Sequence, residues 1–293
     1  MPQLSPFRYP GGKTWLVPEV RRWLDSLAYR PETLIEPFAG GGIVSLIAVV
    51  ENRVDQVVMC ELDEEVASVW QTIVSNDAEW LVDQILAFDM TLENVQDMLD
   101  QQPTHTRDLA FRTIVKNRAQ RGGILAKGAS LMKSGENGRG ISSRWYPKTL
   151  AKRIRCIHDF RDRISVKCVD GIQLMQQHVE KPANCYFIDP PYTASGKSAG
   201  RRLYNHSELD HLALFDTAAR LRGAFLMTYD SADEVIQMAN ARSFHVEWIP
   251  MKNTHHREQM ELLITPSPID QKLNGQSPVH STSPSEVAQT RFV

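Results

Sequence analysis

Leu34-Ile35-Glu36-Pro37-Phe38-Ala39-Gly40-Gly41-Gly42 reads as a short buried strand running into a glycine turn, and the apolar Ile43-Val44-Ser45-Leu46-Ile47 after it reads as a helix start. Glycines at such a junction let the backbone pass close to a ligand, and the helix N-terminus beyond them offers N–H groups without intrahelical partners. About twenty residues further on, Val57-Val58-Met59-Cys60-Glu61 is a second strand ending in an acid, placed to accept bonds from both hydroxyls of a ribose. The pattern is not the G-x-G-x-x-G of dinucleotide folds, and Glu36 ahead of the turn would repel a pyrophosphate and attract a cation.

Working outward, short apolar runs alternate with helical patterns, which predicts strands and helices around a mostly parallel sheet. Strands are expected at Thr33-Glu36, Gln56-Glu61, Ser165-Val169, Cys185-Ile188, Ala224-Thr228, Phe244-Pro250 and Glu258-Thr265. Helices are expected from Trp15 to Leu27, Ile43 to Glu51, Glu64 to Ser75, Gly171 to His178, Ser207 to Leu221 and Ser231 to Ala241. This is an α/β, Rossmann-like sheet of about seven strands. The gap between the second and third strands far exceeds what a βαβ crossover needs, so residues 76–163 read as an inserted, mainly helical and basic recognition domain. Within it, helices are expected near Thr106 to Gln120 and Pro147 to Phe160. Residues 1–75 and 164–265 then form the discontinuous main domain. Residues 266–293, rich in Ser, Pro, Gln and Thr, read as a disordered tail.

The formal net charge of −2 conceals an asymmetry: from Arg107 to Lys167 there are 16 Lys or Arg against 4 Asp or Glu. That segment points to a polyanionic partner, or to a solvated helical surface; interleaved glycines and Trp145-Tyr146 favour a loop-rich binding face. Arg118, Arg121, Lys127, Lys133, Arg139, Arg144 and Lys148 are the candidate contacts, joined by Lys197, Arg201 and Arg202 in the loop after residue 192. The cysteines Cys60, Cys156, Cys168 and Cys185 are widely spaced, so buried thiols are expected and neither a disulfide framework nor a metal site. No apolar run approaches the length of a membrane span and the N-terminus lacks a signal-peptide core, so a cytoplasmic protein is expected.

Two further elements carry chemistry. Cys185-Tyr186-Phe187-Ile188 leads into Asp189-Pro190-Pro191-Tyr192, which is either an ordinary strand-end turn or a clamp for a flat, amine-bearing ring. In the second reading Asp189 and the Pro190 carbonyl accept from the amine, the prolines keep that carbonyl rigid, and Tyr192 stacks on the ring. Near the start, Phe7-Arg8-Tyr9-Pro10-Gly11-Gly12-Lys13-Thr14 ends like a P-loop, but Phe7 stands where that motif needs glycine and no strand precedes it. It is a turn before a helix, or a lid adding an aromatic and a lysine to a nucleoside site. With Glu36 beside the glycines, a nucleoside carrying a positively charged amino-acid part, such as S-adenosylmethionine, suits the site better than NAD.

Tyr9-Pro10-Gly11-Gly12-Lys13, Glu36 to Gly42, Glu61-Leu62-Asp63 and Asp189 to Tyr192, in that order, together resemble the Dam-type, alpha-group DNA adenine-N6 methyltransferases. The resemblance spans roughly residues 4–265, with Tyr9 where the family often has Trp and Glu61 where it often has Asp. It implies a site-specific enzyme moving a methyl group from S-adenosylmethionine to a flipped adenine in double-stranded DNA. Tyr9, Lys13, Glu36, Phe38, Gly40, Gly42, Glu61, Asp170 and Asp189 would lie at the cofactor, and Asp189, Pro190, Pro191 and Tyr192 at the reacting base. Asp170 would meet the cofactor's adenine, or simply cap the next helix. A prokaryotic or phage origin, a monomer, and room for a cognate restriction endonuclease are further expectations. The same fold acting on cytosine N4 or on RNA, and an inactive DNA-binding relative, are the competing readings.

Overall fold

The computed structural model describes residues 4–135, 138–192, 208–252 and 258–269. A 3-10 turn at Lys13–Leu16 leads into α1 (Val17–Ser26), β1 (Thr33–Glu36), α2 (Ile43–Val50), β2 (Gln56–Cys60) and α3 (Glu64–Val74). Four helices follow: α4 (Ala78–Ala87), α5 (Leu92–Asp100), α6 (Thr106–Ala119) and α7 (Pro147–His158). The chain then returns through β3 (Ile164–Lys167), α8 (Gly171–His178), β4 (Asn184–Ile188), α9 (His211–Arg220), β5 (Ala224–Asp230), α10 (Asp233–Asn240), β6 (His245–Lys252) and β7 (Glu258–Thr265). No helix among the described residues is long and apolar enough to cross a membrane.

The seven strands form one sheet in the order β3-β2-β1-β4-β5-β7-β6, parallel except for β7, which runs antiparallel to both β5 and β6. Connections from β1 wind toward β3 and those from β4 wind toward β5, so the topology switches between β1 and β4. Ligands of open α/β sheets sit outside the carboxyl ends of the strands at such a switch. The period of two along the strands divides the core: Leu34, Cys185 and Phe187 face the helices α1 to α7, while Ile35, Tyr186 and Ile188 face α8 to α10. β4 is buried at all five positions because both faces of the sheet are covered.

Helix starts follow local side-chain caps. Asp63, Thr91, Asp170 and Asp210 each accept a bond from a backbone N–H in the first turn of α3, α5, α8 and α9. Proline stands in the first turn of α1 and α7.

Three sequence expectations change. The insertion holds two helices, α4 and α5, that were not anticipated. It also shares one hydrophobic cluster with the sheet, since Leu81, Val82, Ile85, Ile114 and Ile154 join Leu34 and Val57. The insertion therefore packs as an outgrowth of the main core and not as a separately cored module. Finally, the expected tail begins docked: Ile269 is buried in the same cluster and Thr265 Oγ1 donates to the Ser267 carbonyl at 2.8 Å. The remainder of the expected tail lies outside the described residues.

Candidate active site

The carboxyl edge of the sheet collects acids. Glu36 ends β1, Glu61 follows β2, Asp170 follows β3, Asp189 follows β4 and Asp230 ends β5. Antiparallel β7 adds Glu261 to the same edge, opposite Asp230. All six line a cavity of about 950 Å³ together with the Ser5–Trp15 segment and the glycine turn. This volume is at the upper end of the range for small-molecule sites, enough for a nucleoside cofactor with further space.

The glycine turn is shaped by close approach. Gly40 adopts φ 44°, and a Cβ there would lie 2.5 Å from the Tyr9 ring, so Tyr9 closes over the turn as a lid. Gly42, at φ 62°, precedes α2 in the left-handed region. Trp70 Nε1 donates to the Gly40 carbonyl at 3.0 Å and fixes the turn from beneath. Phe38 is half-buried at the cavity wall.

Glu61 accepts from the Gly40 amide at 2.9 Å through Oε2 and from the Asp63 amide at 3.0 Å through Oε1. Desolvation outweighs these bonds and raises its carboxyl to about 7. Glu36 is buried and accepts from both the Ser45 amide and the Ser45 hydroxyl, which ties β1 to α2. Burial lifts it to about 8, so without a cation beside it Glu36 is mainly neutral at pH 7. Asp170 caps α8 through Oδ1 to the Gln173 amide at 2.9 Å, and it lines the cavity as well. Asp170 thus caps α8 and stands at the cavity wall.

Glu36 has a consequence for stability. In the unfolded chain it ionises near 4.5, and in the fold near 8. Between those values the folded state holds the extra proton, so stability of the ligand-free protein falls as pH rises from about 4.5 to about 8. Urea denaturation across this window should show the decline, and Glu36→Gln should lessen it, the remainder coming from Glu61 and Glu261, which burial lifts to about 7.

Around Asp189 the geometry differs from expectation. Three donors converge on Asp189 Oδ1: Lys13 Nζ at 3.0 Å, the Tyr192 hydroxyl at 2.8 Å and the Thr228 hydroxyl at 2.7 Å. Oδ2 accepts no hydrogen bond from the described residues. Lys13, which the resemblance puts at the cofactor, lines the cavity, and its ammonium is buried between two carboxylates, with Glu261 Oε1 at 3.5 Å. Although burial pulls its ammonium down, Asp189 and Glu261 hold it above the ordinary lysine value. The Tyr192 ring, expected to be open for stacking, packs on Tyr229 at 5.6 Å between centroids, with Lys13 Nζ 4.9 Å from its centre. Burial first, then the charges of Asp189 and Glu261, push its hydroxyl well above the usual tyrosine range. Glu261, Thr228 and Tyr229 were not anticipated. An acid inside the apolar run Met260-Glu261-Leu262-Leu263-Ile264 was the available signal.

The basic insertion is also partly reassigned. Arg118 is buried, donates to the Pro6 carbonyl, and is lowered to about 10 by burial and then by Arg153 and Arg8, so it is not a surface phosphate contact. Four of the 16 counted cations pair with acids outside the counted segment: Arg107 with Asp77, Arg112 and Lys116 with Glu65, Arg155 with Glu79. Arg121, Lys127, Lys133, Arg139 and Lys148 are exposed, and Arg144 is half-buried. Lys197, Arg201 and Arg202 lie outside the described residues. The four cysteines are free thiols, two of them fully buried.

The model of the D12 class N6 adenine-specific DNA methyltransferase family matches residues 9–119. The matched range holds Tyr9, Lys13, Glu36, the glycine turn and Glu61, and ends before Asp189. The match supports an enzyme, and S-adenosylmethionine as its cofactor. No curated protein matches the chain. Among solved structures, a candidate RNA methyltransferase from Pyrococcus horikoshii is 9% identical, with 88% of this chain and 83% of that chain covered and a TM-score of 0.40. A methyltransferase from Geobacter sulfurreducens is 11% identical over 88% of this chain and 80% of that one, with a TM-score of 0.39. A candidate class I S-adenosylmethionine-dependent methyltransferase from Listeria monocytogenes is 10% identical over 94% and 66%, with a TM-score of 0.40. Likenesses of this degree say nothing of substrate.

Proposed function

We propose that the chain is a site-specific DNA methyltransferase that moves a methyl group from S-adenosylmethionine to the exocyclic N6 amine of an adenine rotated out of duplex DNA. The observation that carries this reading is Asp189: three donors fix one carboxylate oxygen, and the other meets no described donor, in a cavity at the topological switch point. An immobilised acceptor next to a rigid Pro190 carbonyl suits an amine with two protons to place.

The residues at the edge fit the cofactor. Tyr9 closes over the glycine turn, Glu61 stands at the ribose position of such sheets, Asp170 lines the cavity beyond it, and Glu36 offers an ionisable carboxyl for a cation. When bound, S-adenosylmethionine supplies an electrophilic methyl group on a sulfonium. The amine of adenine is a poor nucleophile because its lone pair is delocalised into the ring. Bonds from its two protons to Asp189 Oδ2 and the Pro190 carbonyl favour a pyramidal nitrogen and aim its lone pair. Positioning and electrostatics carry the rate in this scheme. Tyr192 lines the cavity with its ring held between Tyr229 and Lys13, so it bounds the pocket of the extruded base and does not stack on it as the sequence suggested.

The exposed Arg121, Lys127, Lys133, Arg139 and Lys148 are the proposed phosphate contacts. If those five engage phosphates, the logarithm of DNA affinity falls with the logarithm of salt concentration with a slope of roughly −4.5. Fluorescence anisotropy with a labelled duplex measures this, and a flat response would remove the insertion from the interface. The function itself is tested by transfer of label from S-adenosylmethionine into duplex DNA, with RNA of matching sequence as comparison. Label entering RNA alone would replace this reading.

A further inference from the structure

The Lys13 ammonium is shared. It lies 3.0 Å from Asp189 Oδ1 and 3.5 Å from Glu261 Oε1, in a site where the Lys13 and Glu261 side chains are 5% and 6% exposed. Glu261 Oε2 is buried and meets no hydrogen-bond partner. A buried carboxylate oxygen without a donor is costly and is rarely kept between apolar neighbours such as Met260 and Leu262. Replacing Glu261 with an apolar residue would relieve that cost, yet it would also give the whole of the Lys13 charge to Asp189.

We propose that Glu261 is a positioning residue for the transfer step: it draws part of the Lys13 cation away from Asp189, and so keeps Asp189 a strong acceptor for the amine that is to be methylated. The proposal rests on the function proposed above and deepens it. With Glu261 ionised, one ammonium serves two carboxylates, and Asp189 Oδ2 retains the negative charge that holds the amine protons. With Glu261 neutral, Lys13 pairs with Asp189 alone, and the acceptor strength of Oδ2 falls. Glu261 therefore acts through Lys13, without touching the base.

The groups facing this cluster are Lys13 from the N-terminal segment, Asp189 and Tyr192 from the end of β4, Asp230 from β5 and Glu36 from β1. Burial lifts Glu261 to about 7, against the pull of Lys13, so its charge changes within the working range of pH. Glu36 and Glu61 titrate in the same region, and comparison of variants separates them from Glu261.

The experiment compares the wild-type protein with Glu261→Gln and Glu261→Asp in single-turnover methyl transfer at saturating cofactor and DNA. The wild-type rate should rise about tenfold through neutral pH, the effect of roughly one pKa unit of acceptor strength. Glu261→Gln should lose that limb and run at the wild-type low-pH rate throughout, with unchanged KM for DNA, and Glu261→Asp should restore the limb. An unchanged limb in Glu261→Gln, or a loss of rate equal at every pH, overturns the proposal. A second arm needs no cofactor or DNA. The wild-type minus Glu261→Gln infrared difference should contain one carboxyl group titrating near neutrality, and that titration should move upward in Lys13→Met. A Glu261 carboxyl that titrates identically with and without Lys13 also overturns it. Absence of any wild-type methyl transfer to DNA would sink the proposed function, whereas the infrared arm would still report on the sharing of Lys13.

Discussion

Asp189→Ala abolishes methyl transfer to DNA while leaving DNA affinity within about twofold, because the substitution removes an acceptor that acts on the reacting amine and touches none of the exposed basic residues. Loss of one preorganised electrostatic group at a reacting centre typically costs about 10²–10³ in rate. Here the loss should exceed that. Removing the carboxylate also frees Lys13, Tyr192 and Thr228, which all converge on Oδ1. A released ammonium near the amine would oppose the positive charge that develops on nitrogen. Asp189→Asn is the sharper variant: it keeps the shape and some of the accepting bonds but removes the charge. Single-turnover rates and anisotropy on the same preparations separate chemistry from binding. Full activity in either variant would remove Asp189 from the mechanism.

Lys13→Met is the second large effect, and it acts on both stability and rate. The methionine fills much of the volume of the lysine stem, so the change is chiefly the loss of a charge that neutralises two carboxylates. Breaking a buried ion pair by removing one partner costs about 3–5 kcal/mol, since the other charge is left uncompensated. Glu261 can soften that cost by taking up a proton, because burial already lifts it to about 7. We therefore expect a loss of about 3 kcal/mol in urea denaturation. The rate should fall about a hundredfold, since Asp189 Oδ1 loses one of the three donors that orient it, a loss larger than the gain in acceptor charge on Oδ2. Lys13→Arg should recover much of the stability and less of the rate, because a planar guanidinium cannot reproduce the ammonium's position between two carboxylates. A Lys13→Met protein with normal stability would show that the two contacts are weak in solution.

What was legible in the sequence follows from the range of the interactions involved. β1, β7 and α8 occur where the apolar runs and caps placed them, because a strand buried on both faces and an aspartate-capped helix are written in adjacent residues. The acids after β1, β2 and β4 were equally readable, since the carboxyl edge of a parallel sheet follows from strand order alone. The helix α4 was readable too and was missed: Ala78, Leu81, Val82 and Ile85 have the spacing of one helical face. The basic count overstated the unpaired charge by four cations, for a physical reason. It covered one segment, while the neutralising Glu65, Asp77 and Glu79 precede that segment and reach it only through packing. The lid motif announced Lys13 as functional but could not show where the folded chain carries its ammonium. The pairing of Lys13 with Asp189 and Glu261 joins three regions distant in sequence, and only the closing of β7 against β5 brings them together.

The central claim concerns one atom of one base, and nucleoside mass spectrometry addresses it directly. Duplex DNA incubated with the wild-type protein and isotopically labelled S-adenosylmethionine, then digested to nucleosides, should yield labelled N6-methyladenosine in its deoxy form, and none with Asp189→Ala. Labelled N4-methylcytosine as the product, or label in DNA that persists in Asp189→Ala, would contradict the account.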